Sequence, residues 1–188
     1  MFHLSLHPER LNSSARSAEP EKVFQVLGDL RGKIIGDIGS GGGYFAEQFA
    51  KRVGPLGYVY AIDVNPHYLR HIEEIIQEKN ISNLDTLHSH ESSIPLARET
   101  VDILFSRNAF HHLQDPVSYF RKLSPVLKKD GMIVVIDALR PPRMNLRRIL
   151  RHFSEEEHII LTLKEAGFAH SAKHSVYSDQ SFNIFTKG

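Results

Sequence analysis

Apolar positions along the chain fall into two alternating rhythms. Short, mostly apolar runs occur at Ile34–Ile38, Tyr58–Asp63, Val101–Phe105 and Met132–Ile136, and Leu84–His88 reads as a further strand. Runs of that length bounded by turn residues predict buried strands. Between them, apolar residues recur at helical spacing: Val23, Phe24, Val26, Leu27 and Leu30; then Phe45, Phe49, Ala50 and Val53; then Leu69, Ile72 and Ile76. The same spacing returns at Val117, Phe120, Leu123 and Leu127, and at Ile159, Leu163 and Ala166. Helix starts have local markers. Asn65-Pro66 and Asp115-Pro116 read as N-cap followed by N1. Ser154 and Glu157 have capping-box spacing, with Gly167 ending that helix. Asp130-Gly131 reads as a turn before the fifth strand, which ends at Asp137. Two last strands are expected near 172–177 and 180–186, joined through Ser178-Asp179 as an antiparallel hairpin.

Strand-helix alternation through five strands implies parallel pairing by right-handed crossovers, with the last strand antiparallel. The expected class is a doubly wound α/β sheet. Residues 1–30 are expected to form an N-terminal arm and helix, and 31–188 the main domain. The polar stretch 1–20 reads as a partly mobile arm or lid on the core.

The most informative stretch is Asp37-Ile38-Gly39-Ser40-Gly41-Gly42-Gly43-Tyr44, between the first strand and the next helix. Glycines take positive φ freely and let a ligand lie against backbone. The turn ends at a helix N-terminus, where free amides gather. Asp63 ends the second strand 20 residues after Gly43, the spacing of an acid that holds ribose hydroxyls. The dinucleotide fingerprint fits Gly39 and Gly41 but requires glycine where Tyr44 stands.

Composition narrows the chemistry. The 188 residues, 41% of them hydrophobic, suit one soluble domain. The net charge of +1 gives no global reason to expect nucleic-acid or membrane binding. With no cysteine, disulfides, thiolate metal sites and cysteine nucleophiles are excluded. The N-terminus lacks the apolar core of a signal peptide, and no run approaches the ~20 apolar residues of a membrane span. A cytoplasmic location is expected.

Seven pieces together resemble class I S-adenosylmethionine-dependent methyltransferases, particularly those similar to quinone-biosynthesis C-methyltransferases. They are Ile34–Tyr44, Ala61–Asp63, Ile94–Leu96, Val101–Leu104, Phe110–Pro116, Leu127–Gly131 and Phe153–Phe168, in the family's order. The resemblance implies a seven-stranded sheet of order 3-2-1-4-5-7-6 and S-adenosylmethionine as cofactor. It also implies that Asp37, Gly39, Ser40, Gly41 and Gly43 line the methionine part, Asp63 holds the ribose and Val64 flanks the adenine. The residues after strand three would meet the adenine amino edge. His90 stands where relatives commonly place aspartate, and Glu91 is the alternative acceptor there. Asp130-Gly131 stands where relatives often show two glycines.

A sulfonium methyl is already activated, so proximity supplies much of the catalysis and a base is needed only for a protonated nucleophile. His111 and His112 are the base candidates, with a structural role as the other reading. Asn108 either orients cofactor or substrate or is a turn residue. Arg143, Arg147, Arg148 and Arg151 lie on an amphipathic stretch that either binds an anionic small-molecule substrate or is a solvated face. His67 and His71, four apart, are read as a solvated face and no metal is expected. The pocket walls are limited, so a second subunit in a homodimer is one way to complete them. Two other readings stand beside methyl transfer: a non-catalytic binder of S-adenosylmethionine or S-adenosylhomocysteine, and an NAD-type oxidoreductase.

Overall fold

A computed structural model describes residues 7–17, 19–89, 94–139 and 153–188. In chain order the helices are α1 (Pro8–Ser17), α2 (Pro20–Leu27), α3 (Tyr44–Val53), α4 (Pro66–Lys79), α5 (Pro116–Leu123) and α6 (Glu156–Glu165). The strands are β1 (Ile34–Ile38), β2 (Tyr58–Asp63), β3 (Leu84–His88), β4 (Val101–Arg107), β5 (Leu127–Ala138), β6 (Phe168–Lys173) and β7 (Gln180–Lys187). They form one seven-stranded sheet of order β3-β2-β1-β4-β5-β7-β6. The β1–β2, β1–β4, β2–β3 and β4–β5 pairs are parallel, and β7 runs antiparallel to both β5 and β6. Fold class and strand order are therefore as the sequence implied.

Both faces are covered, which is why the strand cores read as unbroken apolar runs. Ile35, Ile103, Phe105, Val134 and Ile136 face one core with α2 and α3 residues such as Phe24, Phe45 and Phe49. Their neighbours Leu104, Ile133 and Val135 face the other core, with Phe120 and Leu123 of α5 and Ile159 and Leu163 of α6. The aromatic rings lock α2 and α3 onto β4: Phe24–Phe49 centroids are 5.5 Å apart and Phe49–Phe105 centroids 5.0 Å apart, both edge-to-face.

The caps at α4 and α5 form as expected. Asn65 accepts from the His67 amide and Asp115 from the Ser118 amide. Three local expectations are corrected, and residues 8–17, expected within a partly mobile arm or lid, form a helix. Asp130-Gly131 lies inside β5, where the ladder to β4 shifts register between Val101 and Ile103. β6 begins at Phe168, directly after Gly167, so six residues rather than two link it to β7. Ser154 does not cap α6, because its hydroxyl donates to Asp137 instead. The arginines at 143, 147, 148 and 151 lie outside the described residues.

Helix α1 is held by tertiary contacts. Asn12, only 5% exposed, accepts from the Tyr44 amide at 3.1 Å and so caps α3 from a distant helix. Gly42 sits beneath it: a Cβ there would stand 2.4 Å from both Asn12 Oδ1 and the Pro8 carbonyl oxygen. Gly42→Ala must therefore displace α1. We expect faster tryptic cleavage after Arg10 and Arg16 and a stability loss of about 1–3 kcal/mol, measured by limited proteolysis and thermal melting. An unchanged digestion pattern would show that α1 does not rest on the turn.

Candidate active site

Four segments meet at the carboxyl ends of β1, β2, β4 and β5. The turn after β1 folds back over β2, its Gly39 and Ser40 amides both donating to the Ile62 carbonyl at 2.8 and 3.1 Å. Gly43 then donates to Ser40 O and stands just before α3. Gly39 has φ +69, and a Cβ on it would stand 2.5 Å from the Ala109 Cβ. Its missing side chain therefore serves close packing against the segment after β4, in addition to turn geometry.

Asp63 ties the turn to β2. One oxygen accepts from the Gly41 amide and the other from the Asn65 amide, each at 2.9 Å. Burial raises the Asp63 carboxyl above its usual range, opposed by those amides and by Val64 N–H. Asp37, 3% exposed, is pushed up to about 7 by burial first and then by the Asp63 charge. The Ala46 amide of α3 and the Arg107 guanidinium pull the other way. Ser40 Oγ is buried with no hydrogen-bond partner among the described residues. Such orphaned groups in native structures call for a ligand or water. Val64, next to Asp63, leaves 55% of its surface exposed.

These residues fit S-adenosylmethionine. The two carboxylates suit a ligand that carries an ammonium and a sulfonium. Each Asp63 oxygen keeps a second lone pair for a diol hydroxyl, Ser40 Oγ is unsatisfied, and Val64 offers an apolar face. His90 and Glu91 lie outside the described residues. Their neighbour Ser89 is anchored through its amide to the Asp63 carbonyl at 3.0 Å.

After β4, Asn108 adopts φ +54 and its amide donates to Ile136 O. Its side-chain oxygen accepts from Gln180, which in turn accepts from Arg107. That is the turn-residue geometry. His111 and His112 occupy a 3-10 turn, Phe110–His112, with their ring centroids 4.1 Å apart. His112 is exposed, whereas the His111 side chain is only 7% exposed and its Nδ1 lies 2.8 Å from Asp137 Oδ1.

Sequence reasoning missed three residues here. Asp137 is fully buried, Gln180 links β7 to the β4 turn, and Tyr119 of α5 has its phenol raised by burial and then by the Asp63 charge. The usable signal was positional: Asp137 is an acid at the carboxyl end of a buried strand. His71 is a correction in the other direction. Its side chain is 18% exposed, 3.6 Å from Glu9 and 3.8 Å from Glu74, because α1 packs over α4 there. No group of three or more metal-ligating side chains occurs among the described residues. Nor is any described helix long and apolar enough to cross a membrane.

Comparison with known proteins agrees with this geometry. A family model described as "Methyltransferase domain" matches residues 36–135. A demethylmenaquinone methyltransferase from a Geobacillus species is 24% identical over 129 residues, covering 69% of this chain and 55% of that protein. An uncharacterized methyltransferase of Bacillus subtilis is 27% identical, covering 92% and 73%. The crystal structure of an S-adenosylmethionine-dependent methyltransferase from Aquifex aeolicus superposes with a TM-score of 0.87 at 27% identity, over 96% of this chain and 98% of that one. The chain spans between 55% and 64% of the length of demethylmenaquinone methyltransferases from Geobacillus species. With a family model covering more than half its length and the expected sheet order, the chain belongs to the methyltransferase domain family, as a class I domain built for S-adenosylmethionine.

Proposed function

We propose that this chain is an S-adenosylmethionine-dependent methyltransferase acting on a small molecule. The observation that carries the reading is the turn itself: Asp63 holds its Gly41 amide, and its Ser40 hydroxyl is buried without a partner among the described residues. In this reading Asp63 takes the ribose hydroxyls, Val64 flanks the adenine, and Asp37 and Ser40 meet the methionine tail. The bound cofactor supplies an electrophilic methyl. The chain's part is to hold donor and acceptor in line, which is worth ~7–11 kcal/mol in a bimolecular step.

An anionic acceptor belongs to the same proposal. The segment bearing Arg143, Arg147, Arg148 and Arg151 leaves the sheet at Leu139, beside Asp179, and returns at Ser154, whose amide donates to Ala138 O. Both ends are thus fixed next to the carboxyl end of β5. Guanidinium forks suit carboxylate and phosphate.

Two measurements test the cofactor grip. Calorimetry with S-adenosylhomocysteine should give clear binding heat, whereas NAD should give none. Asp63→Ala should weaken S-adenosylhomocysteine binding about tenfold to a hundredfold, the range for a hydrogen bond to a charged group. An unchanged Kd for that variant would remove the ribose assignment.

Asp37 adds a pH dependence. The cofactor's ammonium favours the ionised carboxylate, so binding expels the proton that burial retains up to about pH 7. Affinity should therefore climb with pH below 7 and level off above it, by at most about tenfold per pH unit. Asp37→Asn should bind more weakly at pH 8 and show a flat profile between pH 6 and 8. The unliganded protein has the opposite trend. The folded carboxyl binds its proton more tightly than the unfolded one, so Asp37's contribution to stability declines as pH rises from about 4 to about 7.

A further inference from the structure

Asp137 is a buried group that cofactor binding does not use. Its side chain is wholly inaccessible, yet it accepts four hydrogen bonds. Oδ1 receives His111 Nδ1 at 2.8 Å and the Ala138 amide at 2.9 Å. Oδ2 receives the His111 amide at 3.0 Å and the Ser154 hydroxyl at 2.9 Å. We propose that His111 takes the proton of the methyl acceptor and that Asp137 is the residue that positions it. This inference rests on the methyl-transfer reading above.

The chemistry follows from the bonding. A carboxylate has about four lone-pair sites, and here all four meet donors. It can only accept from the imidazole, so the Nδ1 of His111 carries the hydrogen and the ring's lone pair is placed on Nε2. Two bonds from one residue, amide and ring, fix both the turn and the ring angle. A purely structural tie would not need an ionisable ring. Burying an imidazole and a carboxylate together costs several kcal/mol in desolvation unless every bond is made, and an asparagine or serine would close the same turn. His112 lacks this support: it is exposed, and its ring lies against His111 without a bond to Asp137.

Location points the same way. His111 lies two residues after Ala109, which packs on Gly39 of the cofactor turn. Ser154 brings the return of the arginine-bearing segment to the same carboxylate. One buried acid thus fixes both the His111 ring and Ser154, just before α6.

The acceptor is consequently one that holds its proton at neutral pH, an O–H or an acidic C–H. As the new bond from that atom to the methyl carbon forms, the proton moves to His111 Nε2. The S–CH₃ bond breaks with its electron pair kept by sulfur, and the imidazolium releases the proton to water.

The test has a substrate-independent arm. Nitrogen-15 NMR of the histidine-labelled full chain with S-adenosylhomocysteine, assigned by the signals lost in His111→Gln, should show neutral His111 as the Nδ1–H tautomer. Asp137→Asn should populate the Nε2–H form, because an amide nitrogen can then face Nδ1. An Nε2–H tautomer in the parent protein would overturn the proposal whatever else is found. In the second arm, labelled methyl transfer is compared between 1,4-dihydroxynaphthalene, which offers O–H and activated C–H, and the aromatic amine pyridine, whose nitrogen carries no proton at neutral pH. Transfer to the former should fall about 10²–10⁴-fold in His111→Gln, with Kd for S-adenosylhomocysteine within twofold of the parent. Transfer confined to the amine, or undiminished in His111→Gln, would also overturn it. Failure of the parent to bind S-adenosylhomocysteine would instead remove the cofactor reading, and it is visible separately by calorimetry.

Discussion

A buried carboxylate must be met by donors, and this constraint organises the carboxyl edge of the sheet. Three strands bring an aspartate there: Asp37 on β1, Asp63 on β2 and Asp137 on β5. Removing such a group from water costs several kcal/mol unless hydrogen bonds replace hydration. The acids draw donors from segments remote in sequence, and so tie those segments to the strand ends. Asp137 is saturated by four donors. Asp63 holds the amides of Gly41 and Asn65. Asp37 has the poorest set, and burial raises it to about 7. Donor supply thus grades the three by how far their burial is compensated.

The two ends of the chain complete the same region. Helix α1 caps α3 through Asn12, and Tyr177, in the β6–β7 link, donates its hydroxyl hydrogen to Glu19 O at the α1–α2 junction. Gln180, at the start of β7, bridges Arg107 and Asn108 at the end of β4. Elements far apart in sequence therefore bound a site whose centre is the turn at residues 39–43. Their packing makes the turn a junction: Gly42 is confined by α1 and Gly39 by Ala109.

What was legible in the sequence was what is encoded locally or by fixed spacing. The apolar runs marked β1, β2 and β4 because both sheet faces are covered there. Asn65-Pro66 and Asp115-Pro116 marked helix starts because their caps use residues within one turn. Asp63 was legible from its distance to the glycines. The rest depends on remote partners. Helix α1 buries only Pro8, Asn12 and Ala15, too little for an apolar stripe to show. Asp130-Gly131 has turn chemistry, yet Gly131 is pressed against Leu127, whose Cγ would stand 2.7 Å from a Cβ there, at the register shift in β5. The pairing of His111 with Asp137 spans 26 residues, and no local pattern signals it.

Tyr44 at the fingerprint's third glycine position has a consequence for charge. In a dinucleotide site the helix N-terminus presents open amides to a pyrophosphate. Here those amides are already engaged. Tyr44 N–H goes to Asn12, Ala46 N–H to Asp37, and Glu47 N–H to the Gly43 carbonyl. The positive end of α3 is therefore neutralised by a carboxamide and a carboxylate of the protein itself, and a second carboxylate, Asp63, stands beside them. A diphosphate would meet two buried acids and few free donors. A ligand carrying an ammonium and a sulfonium meets the charge it needs, and its ammonium would oppose the burial and the Asp63 charge that hold the Asp37 proton in place.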